Sequence, residues 1–303
     1  MMPFSRSEMI GSPMVSDPID SNCNYNDDLF FRELIIMTYC VALKLNAGLV
    51  FASDSRTNAG IDQISSFKKM RSFVNRGDRV IVILSSGNLS ITQNAINQLE
   101  TQGRSPEQPN IWNVTSMFDV ASLLGGCLRH VQNTDRPYLM AGNIDVSANF
   151  IVGGQIAGEP PRLFLVYSEG NFIEATENTP FFQIGEIKYG KPIIDRIINP
   201  QTTLNRAIKC LLVSFDSTMR SNVSVGMPID LACYVTDSLS LDNIKQLQEG
   251  DPYFASISAN WSEGLKSVFS QLPNPEWICP APDTQTDQPP TDSQLQNQGI
   301  PPI

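Results

Sequence analysis

Two mostly apolar runs, 39–45 and 49–55, lie on either side of Asn46-Ala47-Gly48, and this pattern predicts a β-hairpin. A second hairpin is expected from 67–74 and 79–85 across "NRGD". Gly87-Asn88 then ends the strands, and "NLSITQNAINQLE" can start a helix. From about 114 to 132, Val114, Met117, Phe118, Ala121, Leu124, Leu128 and Val131 fall three or four residues apart, the period of a helix with one buried face. Strands are expected again at 147–155, 162–167 and 171–175. Helices follow at about 189–198 and 203–219, the second with Leu204, Ala207, Ile208, Leu211, Leu212, Phe215 and Met219 on one side. "PIDLACYVTDS" reads as a buried strand, and a last helix is expected near 256–271. The order is β, paired helices, β, paired helices, β. It predicts an α+β sandwich of two antiparallel sheets with helices outside both.

The two ends differ from this middle. Residues 1–36 carry little regular pattern before "LFFRELII", and they lack the basic start, apolar run and cleavage site of a secretory signal in the right order. From Cys279 onward, Pro, Gln, Asp and Thr dominate, too polar a mixture to offset the entropy of ordering. The organisation expected is therefore a removable N-terminal extension at 1–37, one folded domain at 38–278 and a disordered tail at 279–303.

Composition narrows the function classes. The net charge of -10 disfavours a nucleic-acid surface, and no apolar run approaches the roughly 20 residues of a membrane span. The six cysteines show no C-x-x-C spacing, and three sit in apolar segments, as buried reduced thiols of a cytoplasmic protein would. His130 is the only histidine, which excludes multi-histidine metal sites. In "CLRHVQN" it reads as a helix-end residue rather than a catalytic one. No cofactor or metal is expected.

Candidate chemistry gathers around Thr38. A hairpin returns the chain to its origin, so Asp54, at the end of the second strand, can come back beside Thr38. The next strand brings "SFKKM", and alternation allows only one of Lys68 and Lys69 to face the same spot. A threonine hydroxyl is a weak nucleophile until a base takes its proton. If Thr38 were the first residue, its own α-amine, with an ordinary pKa of about 7.7–8.0, could be that base. A neighbouring ammonium would lower that pKa further, and an aspartate would hold the ammonium in place. "SSGN" at 85–88 places Gly87 where a backbone N–H can meet a developing oxyanion. Each residue alone also has an ordinary structural role: a strand threonine, a capping aspartate, an edge lysine. Their order and spacing suit a single site.

"TYCVALKLNAGLVFASDSRTNAG" followed by "FKKM" resembles the start of proteasome β-type subunits, and is most similar to the bacterial Anbu branch, the ancestral β subunit. The resemblance runs over about 38–278 and includes "LSSGN", "IGEIKYGKPIIDR" and "QLPNPEWI". It implies a four-layer αββα Ntn-hydrolase fold, self-assembly into rings or open spirals, and threonine endopeptidase chemistry on peptides or unfolded protein. By position it implies Thr38 as nucleophile, Lys69 as the essential lysine, Asp54 as its partner and Gly87 as oxyanion donor. Arg56 would be a structural neighbour of the site, and Ser224 a hydrogen-bond partner of the terminal amine.

Two departures stand out. The lysine comes one residue sooner than in most β subunits, and Lys69 is preferred over Lys68 because an apolar residue follows it. In the later "D-x-x-S-G-G" segment, present here as "SNVSVG", the aspartate is missing, and Glu186 stands where a serine is usual. These departures keep open a weakly active or inactive assembly subunit of the same fold, and an Ntn amidase acting on small amides. Met37 precedes Thr38, as an initiator methionine or the last residue of a leader would. The residues neither call for nor oppose an ATPase partner.

Overall fold

The computed structural model describes residues 38–58, 64–66, 68–142, 144–275 and 277. The expected leader, Met37 and the tail from 279 lie outside the described residues. The chain divides into two compact units, one ending at Ala259 and the other starting at Asn260.

The strands of the first unit are β1 (Tyr39–Leu45), β2 (Gly48–Asp54), β3 (Arg56–Asn58), β4 (Ile64–Ser66), β5 (Met70–Asn75), β6 (Arg79–Gly87), β7 (Ala148–Ile156), β8 (Arg162–Val166), β9 (Phe172–Glu174), β10 (Phe181–Gly185), β11 (Ile229–Val235) and β12 (Asn243–Leu247). Its helices are α1 (Leu89–Gln102), α2 (Met117–Ala141), α3 (Lys191–Ile197) and α4 (Leu204–Ser221), and a further helix, α5 (Pro252–Ser270), begins in it. One antiparallel sheet has the order β10-β1-β2-β11-β12 and the other β5-β6-β7-β8-β9, with β3 and β4 forming a separate ribbon.

Alternation along β6 explains the layering. Val80, Val82 and Leu84 meet Ala42, Phe51 and Ile184 of the first sheet in a buried inter-sheet core. Ile81 and Ile83 point the other way, into a core shared with Ile91 and Leu99 of α1 and Leu124 and Leu128 of α2. On the far side of the first sheet, Tyr39 of β1 packs against Phe215 of α4, with ring centroids 4.7 Å apart. The result is the expected four-layer αββα sandwich.

Several details differ from the sequence reading. Helix α2 passes the expected end near 132 and continues through Pro137 to Ala141. Pro137 lies on an exposed face, and Leu139 beyond it still packs against the core, so the lost backbone hydrogen bond does not end the helix. His130 is therefore mid-helix and exposed rather than at a helix end. Gly125 of α2 lies close against a turn: a Cβ there would sit 2.1 Å from the Gly170 carbonyl oxygen. Gly126 faces open space. Strands β10 and β12 were not anticipated, because β10 has only five residues and most of β12 is exposed and polar. Cys40, Cys127 and Cys210 are buried free thiols and Cys233 is half-buried, while Cys23 and Cys279 lie outside the described residues.

Candidate active site

The first hairpin closes as its pattern predicts, with Cys40 opposite Ser53, so Asp54 ends beside the start of β1. The Tyr39 backbone N–H donates to Asp54 Oδ1 at 3.0 Å, which pins the residue after Thr38. Lys69 precedes β5 and reaches the same oxygen, with Nζ 2.9 Å away, and also donates to the Arg56 carbonyl at 2.6 Å. Lys69 is 6% exposed and Asp54 is fully buried, whereas Lys68 is exposed. Of the two lysines, Lys69 is the one turned inward.

Thr38 is itself buried. Its carbonyl accepts a 2.7 Å hydrogen bond from the Glu186 backbone N–H, immediately after β10. Tyr39 pairs with Gly185, whose φ of +84° is in the left-handed region. A Cβ at Gly185 would lie 1.7 Å from the Thr38 oxygen, so only glycine lets β10 approach this closely. The Tyr39 hydroxyl donates to Ser214 Oγ at 3.2 Å and accepts from the Gln183 amide at 2.6 Å. Residue 38 is thus held by backbone on one side and by an anchored tyrosine on the other.

Strand β6 supplies the opposite wall. The Ser85 backbone N–H donates to the Lys69 carbonyl at 3.0 Å, and the Ser85 carbonyl accepts from Cys40 Sγ at 3.6 Å. Gly87 follows at the strand end with φ +103°, where a Cβ would sit 2.4 Å from the Ser147 carbonyl oxygen. Its backbone conformation and closeness to Ser147 both require glycine.

Arg56, whose carbonyl accepts from Lys69, adjoins this cluster. Its guanidinium donates to the Val223 carbonyl at 2.9 Å and lies so near Gly226 that a Cβ there would be 2.3 Å from Cζ. Ser224 is half-buried, and its hydrogen bond runs from its backbone N–H to Asn222 Oδ1, not to Thr38. The pattern-based reading placed Glu186 where a serine is usual but missed its contact with Asn222. The buried Glu186 carboxylate accepts from the Asn222 amide at 3.1 Å, joining the segment that holds Thr38 to the loop that holds Arg56. The alternation of Phe182 and Ile184 with Gln183 was the signal that could have placed Glu186 at a strand end. Asp230 was also missed; it accepts from Ser55 Oγ at 2.8 Å and from Gln246 at 2.8 Å beneath the cluster.

Burial pushes the Asp54 carboxyl above its ordinary value, against the opposing pull of Lys69 and the backbone of Tyr39 and Gly226. The folded chain therefore binds this proton more tightly than the unfolded chain. The associated stability is fully present below the ordinary value of 3.8 and is lost as pH rises through the raised folded value. Asp54→Asn should remove this fall, whose slope is at most about 1.4 kcal/mol per pH unit. Guanidinium unfolding of both proteins from pH 4 upward checks this, and parallel curves would refute it. Burial also raises the Cys40 thiol, which leaves it neutral and unsuited to act as a nucleophile.

No protein-family model matches the chain, and no curated protein does. Solved structures do. Anbu (ancestral beta-subunit) from Yersinia bercovieri is 50% identical, with a TM-score of 0.75, over 80% of this chain and 100% of that one. The Anbu complex from Pseudomonas aeruginosa, described as a helical assembly, is also 50% identical, over 79% of this chain and 99% of that one, with a TM-score of 0.76. This chain belongs to the Anbu family.

Anbu from Hyphomicrobium sp. strain MC1 is 45% identical with a TM-score of 0.73, over 79% of this chain and 100% of that one. The Anbu fold accounts for the two five-stranded sheets and for the helical layers outside them. Among the described residues of this Anbu chain, no group of His, Cys, Asp and Glu is arranged to hold a metal ion, and no helix is long and apolar enough to cross a membrane.

Proposed function

We propose that this Anbu chain is a cytoplasmic threonine endopeptidase whose nucleophile is Thr38 with a free α-amine. The observation that carries this reading is the buried Lys69–Asp54 pair, bonded at Asp54 to the N–H of the residue that follows Thr38. In the proposed reaction the α-amine takes the hydroxyl proton as Thr38 Oγ attacks the substrate carbonyl. The Lys69 ammonium keeps the amine's pKa low and stabilises the developing alkoxide, while Asp54 orients the lysine. The Gly87 N–H receives the oxyanion. The amine then returns the proton to the leaving amine, and water hydrolyses the ester.

A free amine requires that residues 1–37 be absent from the working chain, either removed as a leader or bypassed by starting at Met37, with that methionine then cleaved off to expose Thr38. Intact mass and N-terminal sequencing of the purified protein test this, and a chain retaining residue 37 would refute the mechanism. An electrophilic N-terminal-threonine probe should label the wild type and leave Thr38→Ala unlabelled.

Self-assembly of this chain, as a ring or open spiral around peptide or unfolded-protein substrates, belongs to the same proposal. It is supported by the helical assembly of the Pseudomonas relative and by exposed apolar residues such as Tyr138, Met140 and Ile144 around the end of α2. A second reading, an assembly subunit with little activity, is supported by the missing aspartate of "SNVSVG" and by Glu186 in the usual place of a serine. Probe labelling of wild type separates the two.

A further inference from the structure

A cavity of about 140 Å³ opens against Lys69, between β5, the end of β6 and the start of α1. Its polar wall is formed by Lys68, Lys69, Arg71, Gln93 and Asn97, and Leu89 and Ile96 supply an apolar part. No aspartate or glutamate lines it. Lys69 is committed to Asp54, but Lys68 and Arg71 are exposed and form no ion pair among the described residues. In a chain of net charge -10, this is a local concentration of uncompensated positive charge.

The cavity is placed to hold a substrate side chain. Lys69 is both part of its wall and bonded to the carboxylate that holds Tyr39 N, one residue from Thr38. Ser85, also in the wall, lies two residues before Gly87 on β6. The Asn88 side chain caps α1 by accepting from the Ser90 and Ile91 N–H groups, so the junction that presents Gly87 also sets Leu89 and Gln93 against the cavity. The cavity thus adjoins the residues that hold both Thr38 and Gly87 in place.

We infer that this cavity selects substrates with an acidic side chain, glutamate or aspartate, at the residue whose carbonyl Thr38 attacks. The carboxylate would meet the Lys68 ammonium and the Arg71 guanidinium, and the Gln93 and Asn97 amides can donate to its remaining lone pairs. The methylenes of glutamate would lie against Leu89 and Ile96. A basic side chain in the same place would face like charges with no carboxylate to receive it. This inference rests on the proposed role of Thr38 and adds the substrate class.

The test is a panel of peptide vinyl sulfones that differ only in the residue next to the electrophile, namely Glu, Leu or Lys, applied to the full chain. The glutamate compound should label Thr38 about tenfold faster than the others, the scale of a charge-assisted hydrogen bond gained. The double variant Lys68→Glu, Arg71→Glu should favour the lysine compound. Faster labelling by the leucine or lysine compound in wild type, or an order unchanged in the variant, overturns the inference while leaving Thr38 as nucleophile. Absence of labelling by every compound overturns the nucleophile assignment and this inference with it.

Discussion

Lys69→Ala should abolish acylation of Thr38 and lower the stability of the fold by about 3–5 kcal/mol, the usual cost of stranding one partner of a buried ion pair. Both effects come from a single geometry. Lys69 Nζ makes two hydrogen bonds, to Asp54 Oδ1 and to the Arg56 carbonyl, and its side chain is almost fully buried. Without it, Asp54 keeps the N–H of Tyr39 but loses its cation, in a site where its Oδ2 already makes no hydrogen bond of normal geometry. The proposed chemistry also loses the positive charge that stabilises the alkoxide. Lys69→Met separates the two effects. It fills the volume and retains part of the stability, but should acylate no better than Lys69→Ala. Denaturant unfolding and mass-resolved probe labelling check each half. Full labelling of either variant would remove Lys69 from the site. By contrast, Lys68→Ala should keep the stability of the wild type, since its side chain is exposed and unpaired.

Gly185→Ala should be nearly as damaging, although no side chain is removed. Two costs add. A non-glycine residue at φ +84° is strained by about 1–3 kcal/mol. A methyl group 1.7 Å from the Thr38 carbonyl oxygen must also push β10 and residue 38 apart, at the roughly 1–3 kcal/mol typical of overpacking. The clash is with backbone, so no rotamer change relieves it. The expected total is about 2–6 kcal/mol in unfolding free energy. If Thr38 is the nucleophile, labelling should slow even in the fraction that remains folded. Gly158→Ala is the control for glycine strain away from the site, because its φ is also positive but nothing crowds its Cβ. Equal losses in the two variants would show that the Thr38 contact has no particular weight.

Much of this site was legible in the residue order. Asp54 returns to Thr38 because a short turn between two apolar runs permits little else, and the register Cys40 to Ser53 follows from the turn. Gly87 could be picked out because glycine at the end of an apolar strand marks a backbone with unusual freedom. What was not legible depended on distant segments. Asn222 accepts from the Ser224 backbone N–H and in turn binds Glu186 from another part of the chain. Asp230 reached the cluster only through the pairing of β11 with β2. Helix α2 outran its expected end because the cost of Pro137 depends on which face is buried, and local pattern does not reveal that.

The sequence by itself determined the αββα layering and the local geometry of the first hairpin. Both are written in alternation and in short turns, which act over a few residues. Only the tertiary structure decided which lysine turns inward, what holds the Thr38 carbonyl, and that Lys68 and Arg71 share a cavity with Lys69. Those outcomes depend on contacts between segments far apart in the chain, where packing of the two sheets sets distances that no periodicity encodes.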